Sequence, residues 1–258
     1  MTHPKLAAQL YTVREHCQTA NDLALTLKKI RDIGYSAVQI SGIGPIPDAE
    51  VKELVDDAEL VICNTHVRTE SLWNNLPAIV QQHQLWNCRH VAIGSMPGAY
   101  REEGEAGFRR FASEATRIGE QLSKTGLTFS YHNHSFEFRR FGKRTGLQIL
   151  FEESDPRYLQ AEIDTYWVQH GGGDPAAWVR QMKNRMPVIH LKDMAIINGK
   201  QTMAPIGEGN LNWEAILPAC AEAGVEWYAI EQDSDFPNGD PFESLHLSYL
   251  NLRAMGVT

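Results

Sequence analysis

The chain has 258 residues, of which 43% are hydrophobic and 22% are charged, and its formal net charge is −8. This composition excludes a disordered, collagen-like or low-complexity protein. The acidic balance argues against a nucleic-acid partner, because binding to a phosphate backbone relies on a basic surface.

Short apolar runs rich in Val, Ile and aromatic residues recur along the whole chain and predict eight β-strands. In chain order they are Leu6–Leu10, Ala37–Ile40, Val61–Asn64, His90–Gly94, Thr128–Asn133, Leu159–Asp164, Val188–Leu191 and Tyr228–Glu231. The segments between them have helical spacing of apolar residues, for example Leu23, Leu27 and Ile30. The sequence therefore predicts a strict alternation of strand and helix.

Residues typical of helix ends support this alternation. Candidate N-caps, whose side-chain oxygens can accept from free helix amides, are Asn21, Asp22, Asp48, Asp174 and Asn212. Pro175 falls at a first helical position, where its missing N–H costs little. Gly34, Gly126 and Gly224 each precede a predicted strand, where a left-handed helix end favours glycine.

Eight strand–helix units without a Pro, Gly or Ser-rich linker predict one α/β domain over residues 1–258, a single (β/α)₈ TIM barrel. An open, doubly wound sheet is the alternative. The dinucleotide-binding glycine signature expected of many such sheets is absent. The segment Gly42–Gly44, for example, follows a strand but is succeeded by two prolines.

No stretch of the sequence reaches the roughly 18 apolar residues of a membrane span. The segment Met1–Thr12 lacks the long apolar centre of a secretory signal, so we expect a cytoplasmic protein without a membrane partner. The four cysteines, at positions 17, 63, 88 and 220, form no CxxC pair. They argue against a disulfide framework or a thiolate zinc site.

Alternate residues of a barrel strand face inward, and catalytic groups lie where strands end at the carboxyl face. This alternation places polar side chains on the inward faces of the last four strands: Ser130, His132, His134, Glu162, Asp164, His190, Lys192 and Glu231. Burying such a ring is unfavourable unless its members are paired or hold an ion. Asp164, His190 and Glu231 together predict one divalent metal ion, namely Mn²⁺, Co²⁺, Fe²⁺, Zn²⁺ or Mg²⁺.

Six segments give the chain a recognisable family pattern. They are QLYTVR (9–14), YHNHSFEF (131–138), EIDTYWV (162–168), VIHLKDM (188–194), IGEGNLNW (206–213) and AIEQD (229–233). In order and spacing they resemble the xylose isomerase-like TIM-barrel superfamily, in particular its sugar-phosphate isomerase/epimerase branch. The resemblance implies a divalent-metal enzyme that moves protons at carbons adjacent to a carbonyl or hydroxyl.

The resemblance carries the family's metal ligands onto Asp164, His190 and Glu231. On the fifth strand the chain departs from the family, since many members have a ligating Glu where this sequence has His132. Strand alternation favours His132 as the fourth ligand. Charge favours Glu137, because a third carboxylate better neutralises the cation, and we predict Glu137.

The function implied is that of a sugar isomerase or epimerase that works through an enediolate. His134 is the first candidate for the base and His132 the second, since an imidazole titrates near neutrality. Glu162 is predicted to support the metal site or to act as the opposing acid or base; pairing with a buried Lys or Arg is the alternative. Lys192 either neutralises a developing oxyanion or pairs with Asp193.

The partner is predicted to be a small-molecule sugar or keto-sugar. His66 and Arg68 are candidates for contacts with substrate hydroxyls or a phosphate, and Trp167 for an apolar wall against a sugar ring. A homo-oligomer is compatible with the sequence, since exposed barrel helices commonly form dimer contacts.

Three other functions are alternatives to this prediction. A metal-dependent lyase or dehydratase of keto-sugars or keto-inositols, acting by β-elimination, would use every residue named above. A metal-dependent nuclease of abasic DNA would need more ligands and a basic face, which the charge of −8 opposes. A sugar-binding barrel with a vestigial site is disfavoured by the presence of Asp164, His190 and Glu231.

Overall fold

The structure is a computed structural model that describes residues 4–257. Residues 1–3, which belong to the Met1–Thr12 segment considered above, and residue 258 lie outside the described residues. Eight parallel strands form the barrel: β1 (Lys5–Gln9), β2 (Ala37–Ile40), β3 (Val61–Thr65), β4 (His90–Ile93), β5 (Thr128–His132), β6 (Gln160–Glu162), β7 (Val188–Leu191) and β8 (Trp227–Ile230). All eight predicted strands are confirmed.

Pairing between the strands closes the barrel. One parallel sheet has the order β3-β2-β1-β8-β7, and a second has the order β4-β5-β6. Two isolated bridges join these sheets, His66 with Ala92 between β3 and β4, and Asp164 with His190 between β6 and β7. The predicted (β/α)₈ barrel is therefore confirmed, and the open sheet is excluded.

Helices surround the barrel between the strands. They are α1 (Ala20–Ile33), α2 (Asp48–Asp57), α3 (Thr69–Asn74), α4 (Leu76–Leu85), α5 (Gly98–Glu102), α6 (Glu105–Ser123), α7 (Gly146–Glu153), α8 (Thr165–His170), α9 (Pro175–Gln181), α10 (Trp213–Ala223) and α11 (Pro241–Ala254). Three short 3₁₀ segments cover Leu10–His16, Phe136–Phe138 and Pro237–Gly239. Within residues 4–257, no helix combines the length and apolar character needed to cross a membrane.

The helix-end predictions have mixed outcomes. Asp174 and Asn212 cap α9 and α10 by accepting from backbone amides, and Pro175 is the first residue of α9. Gly224 ends α10 in the left-handed conformation (φ +78°). The prediction that Asp48 is the N-cap of α2 was wrong, because Pro47 is the N-cap and Asp48 lies inside the first turn.

The start of α1 was also predicted wrongly. Thr19, not Asn21 or Asp22, is the N-cap, and its hydroxyl accepts from the amide of Asp22 at 3.2 Å. The helix thus begins one residue before Asn21. The sequence signal was ambiguous because Thr19, Asn21 and Asp22 all carry a side-chain oxygen able to cap.

The alternation of strand residues places apolar side chains outward and polar ones inward. Phe129 and Tyr131 are buried among the helices, and Tyr131 packs edge-on against Phe111 of α6 at 5.4 Å. Inside the barrel, Ala7 and Ala37 pack with Cys63 in a separate cluster of small residues. All four cysteines are buried and free of disulfides.

Two antiparallel hairpins on the carboxyl-terminal side of the strands were not predicted. They pair Arg140–Phe141 with Arg144–Thr145, and Asp193–Ile197 with Lys200–Ala204. The turn of the second hairpin is Asn198-Gly199, and both residues have positive φ angles. Asn-Gly between two strands is a strong signal for such a turn, so the sequence did carry the information.

The loop after the second hairpin is organised by one buried carboxylate. Asp193 accepts from the amides of Met194, Gly207, Gly209 and Leu211 at 2.7–3.2 Å. It also accepts from Trp213 Nε1 at 2.7 Å. A Cβ on Gly209 would lie 2.3 Å from an Asp193 carboxylate oxygen, which explains why glycine occupies this position. The IGEGNLNW segment is thus folded around Asp193.

Replacement of Asp193 by Ala should lower the free energy of unfolding by about 3 kcal/mol, because five donors lose a charged acceptor in a buried place. The measurement is chemical denaturation followed by circular dichroism. Asp57→Asn is the control, since Asp57 is exposed on α2, and it should change stability by less than about 0.5 kcal/mol. Equal stability of the two variants would contradict the role given to Asp193.

Candidate metal centre and cavity

Four ionisable side chains meet at the carboxyl-terminal mouth of the barrel. They are His132 at the end of β5, Asp164 after β6, His190 on β7 and Glu231 after β8. One ligand atom from each lies within 4.8 Å of the ligand atoms of the other three. All four side chains are buried. We call these residues the four-residue group.

Each of the two histidines of the group is oriented by a hydrogen bond on its outer ring nitrogen, the one that faces away from the group: Nδ1 in His132 and Nε2 in His190. His132 Nδ1 lies 2.9 Å from the carbonyl oxygen of Gly94, and its Nε2 faces Asp164 Oδ2 at 3.2 Å. His190 Nε2 lies 3.1 Å from both Gln39 Oε1 and Glu162 Oε1. His190 Nδ1 faces Glu231 Oε2 at 2.8 Å. Outer acceptors of this kind leave the inner nitrogen of each ring available as a ligand.

Asp164 is held by the start of α8. Its Oδ1 caps this helix by accepting from the amide of Trp167 at 2.9 Å. Its own amide donates to Asn133 Oδ1 at 3.1 Å, which joins it to the loop after β5. Oδ2 is thereby directed towards His132. The carboxylate is fixed before any ion binds.

Glu137 lies outside the four-residue group. Its carboxylate accepts from the hydroxyl of Tyr131 at 2.7 Å and from the amide of His134 at 3.0 Å. Burial raises its pKa to about 7. The structure therefore does not bring the predicted ligand Glu137 to Asp164, His190 and Glu231, and brings His132 there instead. The physical reason is the short helical turn Phe136–Phe138, which directs Glu137 to the outward-facing Tyr131.

Glu162 lies below the group inside the barrel and is fully buried. Its Oε1 accepts from Gln39 Nε2 at 3.0 Å and from Asn64 Nδ2 at 2.7 Å. Its Oε2 lies 2.8 Å from His66 Nε2. Burial opposes ionisation, but the imidazoles of His190 and His66 outweigh it and hold the pKa of Glu162 well below its usual value. The alternative of a pairing with a buried Lys or Arg is not found among the described residues, because the partners of Glu162 are two amides and two imidazoles.

Lys192 places a buried ammonium group among the carboxylates at the mouth of the barrel, and its side chain is almost entirely buried. Its Nζ lies 2.8 Å from Asp233 Oδ2, 3.1 Å from Glu231 Oε2 and 3.7 Å from Asp164 Oδ2. Burial disfavours the ammonium, but these carboxylates outweigh it and raise the pKa of Lys192 above its usual value. Pairing with Asp193, one of the two sequence-based alternatives, is wrong, because Asp193 holds the neighbouring loop.

The four-residue group opens into a cavity of about 660 Å³. His66, Arg68 and Trp167, the three residues proposed from the sequence to contact substrate, line this cavity together with His132, His134 and Lys192. Tyr11, Asp233 and Arg101 also line it. The cavity is large enough for a sugar-sized ligand.

His134 occupies a side of the cavity next to Trp167, with 5.2 Å between the ring centroids. Its Nδ1 and the Nε1 of Trp167 are buried without a hydrogen-bond partner among the described residues. Burial lowers the pKa of His134 to about 3, so the imidazole is neutral near pH 7 but, contrary to the expectation from the sequence, does not titrate near neutrality. Two unpaired polar atoms beside a cavity favour a polar ligand there.

Sequence reasoning did not identify Gln39, Asn64 and Asp233. Gln39 and Asn64 hold Glu162, and Asp233 pairs with Lys192. The alternation rule could have found Gln39, because it shares a face of β2 with Ala37 inside the barrel. Asp233 lies beyond the end of β8, where strand alternation no longer predicts direction.

The donor set of the four-residue group fits a divalent cation. Two carboxylates supply a charge of −2, and two imidazoles supply neutral nitrogens. Without an ion, burial disfavours a charged His190, but Glu162 and Glu231 outweigh it and raise the pKa of His190 to about 10, so this ring must release a proton to bind a cation. The mouth of the barrel therefore stabilises positive charge strongly, as a cation site must.

Comparisons with known proteins agree with this architecture. An inosose dehydratase of Geobacillus thermodenitrificans is 25% identical over an alignment of 150 positions that covers 49% of this chain and 47% of that protein. The chain thus matches about half the length of this relative.

Two solved structures share the fold over almost the whole chain. A sugar phosphate isomerase/epimerase from Parabacteroides distasonis has a TM-score of 0.79 at 24% identity, covering 100% of this chain and 96% of that one. A probable 3-DHS dehydratase from Bacillus anthracis has a TM-score of 0.73 at 12% identity, covering 96% and 98%.

A family model described as a xylose isomerase-like TIM barrel matches residues 27–246, more than four fifths of the sequence. This stretch contains seven of the eight barrel strands and all members of the four-residue group. The chain belongs to the xylose isomerase-like TIM barrel family.

Proposed function

We propose that the protein is a divalent-metal-dependent sugar isomerase or epimerase that moves a proton at a carbon next to a carbonyl. The observation that carries this proposal is the four-residue group at the floor of a sugar-sized cavity. A neutral imidazole, His134, and a buried ammonium, Lys192, line the same cavity.

His132, Asp164, His190 and Glu231 would hold the metal ion. Two imidazoles in the set favour Mn²⁺, Fe²⁺, Co²⁺ or Zn²⁺ over Mg²⁺, which prefers oxygen ligands. When bound, such a cation supplies Lewis acidity that polarises a carbonyl and stabilises negative charge on its oxygen. Glu162 is a positioning residue, because its carboxylate accepts from the outer nitrogen of His190.

His134 is the proposed base. Its neutral ring removes the proton from the carbon next to the carbonyl, and the electron pair of the broken C–H bond forms the double bond of an enediolate. Lys192 stabilises the negative charge that develops on oxygen. In isomerisation the proton then returns to the former carbonyl carbon, while the hydroxyl proton of the neighbouring carbon moves to the former carbonyl oxygen. The new carbonyl forms in this way, and atoms and charge balance without another reactant. His132 is not proposed as the base, because its Nδ1 contacts the Gly94 carbonyl oxygen and its Nε2 would bind the metal ion.

Dehydration of a keto-sugar or keto-inositol is a second candidate function. The similarity to an inosose dehydratase favours it. The first step, loss of the proton next to the carbonyl, is the same in both reactions. The enediolate would then expel a β-hydroxyl group, which leaves as water after protonation and gives an unsaturated ketone.

Two buried glutamates, Glu231 inside the four-residue group and Glu137 outside it, allow a matched test of the ligand set. Glu231→Gln should weaken Mn²⁺ or Co²⁺ binding by at least about tenfold, because one anionic ligand becomes neutral. Glu137→Gln should leave the affinity within about twofold, since Glu137 lies outside the group. Isothermal titration and elemental analysis provide the measurement. Loss of metal from Glu137→Gln alone would restore Glu137 as the ligand.

His132 at the end of β5 and His134 just after it should separate metal binding from proton transfer. His134→Ala should reduce kcat by about 10²–10⁴-fold while the metal content stays that of the parent protein. His132→Ala should lose metal. Turnover of a panel of keto-sugars and inososes, with elemental analysis of each variant, tests both. An active His134→Ala variant would exclude His134 as the base.

Solvent deuterium distinguishes the two candidate reactions. Isomerisation through an enediolate should place deuterium from D₂O on the carbon next to the product carbonyl, whereas dehydration should give an unsaturated product with an altered ultraviolet spectrum. Both reactions should stop when a chelator removes the metal and resume when Mn²⁺ or Co²⁺ is restored. Full turnover in the chelated protein would overturn the metal dependence.

A further inference from the structure

Two arginines line the cavity at its outer rim, in addition to Lys192 at its floor. Arg68 follows β3, and Arg101 belongs to α5, which follows β4. Both line the cavity and both side chains are exposed. The bridge between His66 and Ala92 holds the ends of these two strands side by side. The two arginines therefore approach the cavity from neighbouring strands.

Neither rim arginine has a carboxylate partner among residues 4–257. Arg110, by contrast, forms ion pairs with Glu103 and Glu114. Glu70 lines the same cavity but forms no ion pair with Arg68 or Arg101 within the described part of the chain. Unpaired guanidinium groups beside a cavity leave their N–H donors free for a ligand.

An aromatic row connects Arg101 to the floor of the cavity. The guanidinium of Arg101 lies over the ring of Phe136, 4.7 Å from its centroid. Phe136 stacks on His134 at 5.9 Å, and His134 contacts Trp167 at 5.2 Å. Lys192 Nζ lies 5.5 Å from the Trp167 ring centre. The row of Phe136, His134 and Trp167 thus extends from Arg101 at the rim to Lys192 beside the four-residue group.

We infer that this rim is a subsite for an anionic oxygen group, a carboxylate or a phosphate, at the end of the substrate distant from the reacting carbons. Guanidinium groups bind these anions through paired hydrogen bonds and select them over uncharged hydroxyls. Stacking on Phe136 holds Arg101 in place without neutralising it. The inference rests on the proposed function only in placing the reacting end at the four-residue group.

Binding of matched sugars to the metal-loaded full chain tests the inference. The probes are D-fructose 6-phosphate against D-fructose, and D-glucuronate against D-glucose, measured by isothermal titration. At least one anionic sugar should bind about tenfold or more tightly than its uncharged partner. Whichever pair shows the preference identifies the anion as phosphate or carboxylate.

Three variants assign the preference to the rim. Arg68→Gln and Arg101→Gln should each reduce the ratio of the two affinities by about threefold or more, and the double variant should bring it close to one. Arg117→Gln removes the same charge from an exposed position on α6 and should leave the ratio unchanged. This control separates direct contact from the effect of net charge.

The inference is overturned if neither anionic sugar binds, if charged and uncharged sugars bind equally, or if the double variant keeps the preference. Metal content, measured on the same samples, reports separately on the four-residue group. Loss of metal without loss of the anion preference would count against the proposed function and leave the rim subsite standing. An intact metal site without the anion preference would count against the rim subsite and leave the proposed function standing.

Discussion

Repulsion between buried carboxylates is the interaction on which the rest of this site depends. Asp164 and Glu231 end two strands of a closed barrel, and Glu162 lies below them with no exposure to solvent. Negative charges at this depth cannot be stabilised by water, so the fold must supply positive charge and hydrogen-bond donors. Lys192 and His190 provide part of it, and the geometry of the remaining ligand atoms suits a cation.

The polar layer beneath the mouth explains how such a site stays rigid. Gln39 and Asn64 donate to Glu162, and Glu162 in turn faces the outer nitrogen of His190. Each member comes from a different strand, so the hydrogen bonds tie the site to the closure of the barrel. A ligand held in this way needs little reorganisation when an ion or substrate arrives, which is the condition for electrostatic catalysis.

The two halves of the barrel contribute different kinds of residue to the cavity. Strands β5 to β8 carry the ionisable residues of the floor, whereas the segments after β1 to β4 contribute Tyr11, Arg68 and Arg101 to the walls and rim. Such a division lets loop changes alter what is bound while the reacting groups stay fixed, as is general for TIM barrels.

The sequence by itself determined the eight strands, their order and which residues face inward, because alternation along a strand is a local property of the backbone. It therefore identified Asp164, His190 and Glu231 as neighbours before any coordinates. Only the tertiary structure placed His132, and not Glu137, beside Asp164, His190 and Glu231. Glu137 lies past the end of its strand, where the chain turns and alternation has no meaning, so its direction depends on Tyr131 and the His134 amide. The same reason applies to Asp233, whose contact with Lys192 arises only when the closed barrel brings the ends of β7 and β8 together.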